Sequence, residues 1–221
     1  MPRMAGSSTA ERPPAAFYFD LASPRAYLVA ERIVGVLDPG VEWEPVLASE
    51  LGGTDGAGLP GDGPGLQIER SDDTWREAIE LRASELGLQP LRWPTPFPFD
   101  STIAMLAATY AKSIGRAVPF AQAAFRQAFA GGRSLGDMDN VLIAAAACEM
   151  HPKAVLAATQ MTSVREQLHS ATTAASVVGV SYVPAVRVGA RVFVGERSVE
   201  DAAASSPGLL RSDASRIEGR L

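Results

Sequence analysis

An aromatic run that turns abruptly into a helical pattern constrains this chain more than any other stretch. In residues 17–28, FYFDLASPRAYL, Phe17, Phe19 and Leu21 alternate with Tyr18 and Asp20. That is the period-two pattern of a strand rich in aromatic side chains. Ser23 suits a helix N-cap, and Pro24 suits the first helical position, where a missing N–H costs nothing. The residues therefore predict a buried strand feeding directly into a helix. Such a junction puts a hydroxyl and open backbone N–H groups at the positive end of a helix dipole, a place suited to an anion or a thiolate. Capping alone is the plainer use of the same Ser-Pro pair, and Asp20 reads equally as a local hydrogen-bond acceptor.

The rest of the chain follows from this junction. Residues 24–37 carry Tyr27, Leu28, Val34 and Leu37 near helical period, and Asp38-Pro39-Gly40 marks a turn. Residues 41–47, VEWEPVL, read as a second strand, with Pro45 at its end or on an edge. A strand, helix and strand of this length imply a crossover and a parallel pair. Residues 48–66 are dense in glycine and proline, and a long irregular loop is expected there. From about 66 to 178 the pattern is mainly helical: 72–86, a helix holding Ile103 to Ile114, one holding Phe120 to Phe129, and one over 138–149. Ser163-Val-Arg-Glu166 reads as a capping box opening a last long helix with Val164, Leu168, Ala171, Ala175 and Val178 inward. The four-proline segment 90–100, PLRWPTPFPFD, must be extended, and Trp93, Phe97 and Phe99 either line a pocket or pack under helices. Residues 183–188 and 192–194 read as a hairpin about Gly189-Ala190, and Ser198-Val-Glu-Asp201 as the cap of a final helix.

Composition excludes several kinds of chemistry. With 47% hydrophobic and 20% charged residues, the chain has ample material for one core, and a net charge of −5 gives no footprint for nucleic acid. No apolar run is long enough to span a bilayer, so no membrane role is expected. Residues 1–14 lack the apolar core of a secretory signal and read as a disordered arm, which makes the expected location cytoplasmic. Cys148 is the one cysteine, which excludes an intramolecular disulfide and CxxC redox chemistry. It lies in an apolar helical stretch and reads as a buried small hydrophobe. His151 and His169, the only histidines, have no ligands at metal-site spacing, so no metal is expected. There is no P-loop, dinucleotide fingerprint or Gly-x-Ser-x-Gly elbow.

Phe19, Asp20, Ser23, Pro24, Tyr27 and Leu28 have the spacing F-D-x-x-S-P-x-x-Y-L. This resembles the opening of the 2-hydroxychromene-2-carboxylate isomerases, which belong with the kappa-class glutathione transferases in the DsbA-like branch of the thioredoxin fold. WREAIELRASELGL, PLRWPTPFPFDSTIAMLAA and FAQAAFRQAFAGGRSLGD follow the same family pattern in order, so the resemblance runs over roughly residues 16–200. It implies an α/β thioredoxin-like fold, β-α-β then α-β-β-α, with a large all-helical insertion. The expected domain is 15–205, with its thioredoxin part at 15–47 and 178–205, the insertion at about 66–177, and a flexible tail at 206–221. Ile217-Glu-Gly-Arg220 in that tail matches a commonly engineered protease site, or arises by chance.

The resemblance also implies a site. Ser23 stands where redox relatives carry the first cysteine of CxxC, and is the expected catalytic and thiol-binding residue. Val183-Pro184 matches the thioredoxin cis-proline, whose preceding backbone can pair with an extended ligand. The loop at 48–66 helps form the thiol site in the family. Glu196 and Arg197 fall where the family carries a G-x-D-R pattern that holds the γ-glutamyl end of glutathione; Arg197 reverses the acidic charge there and suits a carboxylate or a different thiol. Arg25 replaces the usual aromatic residue after Ser-Pro, and Asp100 replaces an asparagine. The implied cofactor is glutathione or another low-molecular-weight thiol, which brings the sulfur this chain lacks at that position. The implied substrate is a small electrophile, apolar or aromatic, and kappa-like relatives are often homodimers. Three readings follow: a thiol-dependent isomerase or transferase, a DsbA-like oxidoreductase homologue without disulfide chemistry, and a non-catalytic thioredoxin-fold binding protein.

Overall fold

The computed structural model describes residues 14–38, 40–51 and 73–210. Residues 1–13 of the N-terminal arm, the glycine-rich stretch 52–66 and the Ile217–Arg220 motif lie outside these residues. Among the described residues the chain forms a four-stranded sheet and eight α-helices. Strand β1 (Ala15–Phe19) leads into helix α1 (Pro24–Val36), and β2 (Glu42–Pro45) follows. The helical part comprises α2 (Asp73–Glu85), α3 (Thr102–Ser113), α4 (Ala117–Phe129), α5 (Met138–Ala146), α6 (Pro152–Gln160) and α7 (Thr162–Val177). Strands β3 (Ala185–Val188) and β4 (Arg191–Val194) and helix α8 (Ser198–Ser205) complete the chain.

The strand order is β2-β1-β3-β4. β1 pairs parallel with β2, Phe17 opposite Trp43, and antiparallel with β3, Phe17 opposite Val186. β1 is thus a central strand buried along its whole length, which is why it tolerates no charge before Asp20. Its two faces serve two cores. Phe17 and Phe19 join the larger one, with Trp43 edge-on to Phe17 at 4.9 Å and Phe125 of α4 at 5.9 Å from Phe19. Ala16 and Tyr18 face the smaller one, with Val46, Ala175, Val180 and Val183. Helix α1 packs against α4 and α8, and Tyr27 stacks on Phe129 at 5.7 Å. Each fully buried aromatic of this kind contributes about 1.5–3 kcal/mol of transfer free energy.

Several local expectations need correction. Residues 152–160 form a helix of their own, with Pro152 at N1 and the His151 ring accepting from the Lys153 N–H at 3.2 Å. Helix α5 stops at Ala146, short of 149, and Glu149 takes φ 60 as the chain leaves it. The Ser163 capping box does not form, because α7 starts two residues earlier, with Met161 at its N-cap and no side-chain cap bond. Thr172 takes the inward place expected of Ala171, and its Oγ1 accepts from the Leu47 N–H at 3.0 Å. Val178 is 43% exposed. Arg197, not Ser198, is the N-cap of α8. Residues 206–210, expected in a flexible tail, pack: Leu209 is buried, its carbonyl accepts from the Asp38 N–H at 2.8 Å, and Leu210 bridges to Leu37.

Candidate functional site

Ser23 is the N-cap of α1, with extended backbone at φ −89 and ψ 111. Its Oγ accepts from the Ala26 N–H at 3.2 Å, and the Ser23 N–H donates to the Asp20 carbonyl at 3.0 Å, which closes the turn between strand and helix. A serine hydroxyl that accepts one bond still has its own proton to donate. Ser23 borders a cavity of about 370 Å³. Ala22 and Pro24 line it from the same turn, Ala48 and Ser49 from the short 3-10 turn after β2, and Asp100, Ser101 and Thr102 from the start of α3. The N-termini of α1 and α3 therefore meet at one cavity, and both bring the positive end of a helix dipole.

The opposite wall is aromatic, from Trp75 of α2 with Phe97 and Phe99 of the proline-rich segment. Trp75 and Phe97 are roughly parallel at 6.3 Å, and Trp93 sits behind them, 5.5 Å from Trp75 and 5.0 Å from Phe97. The Arg76 guanidinium lies over Trp93 at 5.3 Å, and the Trp93 indole N–H donates to Glu80 at 2.6 Å. Thr95–Pro96 and Phe97–Pro98 are cis peptide bonds. The segment expected to be extended bends at residues 95–98, and its Phe97, Pro98, Phe99 and Asp100 line the cavity together with Trp75 of α2.

Two carboxyl groups differ in environment. Asp20 is buried, and burial pushes its carboxyl above the ordinary range, against the opposing pull of bonds from Ala22, Ala48 and Ser101. Asp100 is exposed, and bonds from the Thr102 hydroxyl and N–H hold its carboxyl below that range. Cys148 lies in the turn just after α5, and burial pushes its thiol up.

Of the expected site residues, Ser23 borders the cavity; Val183, Pro184, Glu196 and Arg197 are not among its described lining residues. The Val183–Pro184 bond is cis, and both residues are buried beside β1. Their neighbour Tyr182 feels the Arg25 charge, which places this loop near the first turn of α1. Glu196 is drawn into an ion-pair group, 3.4 Å from Arg25 and 3.6 Å from Arg82, while its carbonyl accepts from Arg32 at 2.7 Å. Arg197 is largely exposed, 3.9 Å from Asp201. The Ser198 Oγ is buried and has no hydrogen-bond partner among the described residues. Ser101, Thr102 and Trp75 are site residues that sequence reasoning did not single out; Asp100-Ser-Thr after a proline-rich segment is the capping signal that points to the first two. Among the described residues there is no cluster of side chains able to hold a metal ion, and no helix long and apolar enough to cross a membrane.

A sheet with this strand order, a helix starting at the end of its central strand and a proline loop beside that start define the thioredoxin class of fold. Residues 16–205 match the DSBA-like thioredoxin domain, and the chain belongs to that family. Among solved structures, a 2-hydroxychromene-2-carboxylate isomerase is 17% identical with a TM-score of 0.72, over 86% of this chain and 93% of that one. A probable DsbA oxidoreductase from Streptomyces coelicolor is 17% identical with a TM-score of 0.65, over 87% and 88%. The cytosolic disulfide reductase DsbM from Pseudomonas aeruginosa is 14% identical with a TM-score of 0.58, over 81% and 87%. At these identities the likeness establishes the fold. No curated protein matches the chain by sequence.

Proposed function

We propose that this chain is a thiol-dependent isomerase or transferase of the 2-hydroxychromene-2-carboxylate isomerase kind, working with glutathione or a comparable low-molecular-weight thiol. One observation carries the reading: a serine hydroxyl, not a cysteine, stands at the start of α1 on the edge of an aromatic-walled cavity. The cavity volume of about 370 Å³ falls within the range of small-molecule sites. Its donors suit an anion, since two helix N-termini and the Ser23 hydroxyl meet there. Bound as a thiolate, the cofactor would supply a nucleophile that adds to an unsaturated carbon and leaves again, or stays attached as the product of transfer.

The protein's part is placement and electrostatics. The Ser23 O–H donates to the sulfur, and the α1 dipole favours its charged form. Trp75, Phe97 and Phe99 hold an apolar or aromatic electrophile and exclude water from it. The start of α3 at Ser101 and Thr102 favours negative charge that gathers on the substrate as the sulfur adds. Disulfide exchange within the chain is not available, because Cys148 is its one cysteine. The Ser23–Ala26 cap bond favours a second reading, a thioredoxin-fold binding protein in which Ser23 only caps its helix.

Calorimetric titration with glutathione and other cellular thiols separates the two. The enzyme reading expects thiol-selective binding that weakens in Ser23→Ala, followed by turnover of electrophilic substrates. Absence of binding by every thiol tried would leave the binding-protein reading.

A further inference from the structure

Asp20 is 3% exposed, and its carboxylate is used in three directions. Oδ1 accepts from the Ala22 N–H at 2.9 Å and Oδ2 accepts from the Ala48 N–H at 3.0 Å, while the Ser101 side chain on the third side favours the charged form of the carboxyl. These partners belong to three segments distant in sequence: the turn into α1, the 3-10 turn after β2 and the N-cap of α3. All three segments line the cavity. A further contact runs the same way, since the Leu21 N–H points at the Met105 sulfur of α3 at 3.2 Å. A buried carboxylate is expensive to keep, and an apolar residue would end a central strand more cheaply. Both oxygens nonetheless have partners, and Ala22 and Ala48 both line the cavity.

We propose that Asp20 is a positioning residue: its carboxylate clamps the N-termini of α1 and α3 and the turn at 48–50 to one point, and so sets where the Ser23 hydroxyl stands relative to the start of α3. The clamp rests on the thiol reading only in taking Ser23 as the group whose position matters. Asparagine has nearly the same shape but offers one acceptor oxygen, so its amide N–H would oppose one of the two loop N–H groups. Asp100 is the other ionisable group whose charge reaches Asp20.

The test uses amide resonances of the full chain, followed by nuclear magnetic resonance across pH. In wild type the Ala22 and Ala48 amides shift together through one midpoint, that of the Asp20 carboxyl, and Asp20→Asn abolishes both transitions. Ser101→Ala removes a side chain that favours the charged form, so it raises both midpoints equally and leaves the Ala26 amide unmoved. Ala22 and Ala48 amides that titrate apart, or not at all, would overturn the clamp. So would Asp20→Asn binding glutathione as tightly as wild type; the clamp predicts at least tenfold weaker binding, with Ser101→Ala between. Should wild type bind no glutathione, the thiol reading fails, and the amide titration still decides the clamp.

Discussion

Replacing Ser23 by alanine and by glycine separates helix capping from ligand binding. The Ser23 Oγ accepts one helix N–H at 3.2 Å in a residue only 1% exposed. Loss of a serine cap to alanine costs about 1 kcal/mol, whereas loss to glycine costs only a few tenths. In a domain of this size about 1 kcal/mol lowers Tm by about 2–4 °C. Ser23→Ala should therefore melt measurably below wild type, and Ser23→Gly close to it. Binding follows a different rule. A hydrogen bond to a charged sulfur contributes about 1.5–3 kcal/mol, so removing its donor weakens thiol binding roughly 10- to 150-fold. Both variants lack the hydroxyl, so both should lose binding to the same extent despite their different stabilities. Thermal denaturation and isothermal titration with glutathione on the three proteins give the two numbers. Binding that tracks Tm, or that survives in both variants, would refute the argument, because it would mean that the hydroxyl acts only through the helix.

Further outcomes follow from the same geometry. Ser23→Cys should create a thiol with a pKa below the free value of about 8.5, read from the pH dependence of its alkylation, since the α1 dipole favours the thiolate. In the same experiment Cys148 should react slowly, because burial pushes its thiol up. The unfolded chain releases the Asp20 proton near the ordinary value of about 3.9, while burial makes the folded state keep it to higher pH. Between those two values the unfolded state binds fewer protons, so the Asp20 contribution to stability falls as pH rises and is constant above the folded value. Urea unfolding of wild type and Asp20→Asn across mildly acidic pH should show that slope in wild type alone. Phe125→Ala should cost about 3–5 kcal/mol in urea unfolding, since this fully buried ring lies against Phe19 and Tyr27. Arg126→Ala, by contrast, should cost less than about 1 kcal/mol, because its two-pronged pair with Glu31 is largely exposed on the arginine side.

The junction at 17–28 is legible in sequence because every local signal in it agrees. Alternating aromatics, a serine cap and a proline at N1 all specify one strand-to-helix turn, and the structure has it. The parallel pairing of β1 with β2 follows from the single helix between them. What sequence could not show is the meeting of segments far apart. Ala48 and Ser101 come to Asp20 through tertiary packing, and no periodicity in either segment predicts it. Glu196 is expected as a ligand residue only through the family resemblance, and sequence could not show that Arg25 of α1 and Arg82 of α2 pair with its carboxylate. Helix α6 is short, and His151-Pro152 marks its start only when His151 is accepted as a cap. Ser163 is a good capping residue that lost to the chain path at Met161, where α7 begins directly after α6.

The proposed function puts a small thiol where α1 begins. Amide chemical-shift mapping during a glutathione titration tests it residue by residue. The largest changes should fall on Ala22, Ser23 and Ala26, with Ala48 and Thr102 across the cavity, and they should vanish in Ser23→Gly. Changes centred on Cys148 or on the Glu196 ion-pair group, or saturation without any shift at the start of α1, would contradict it.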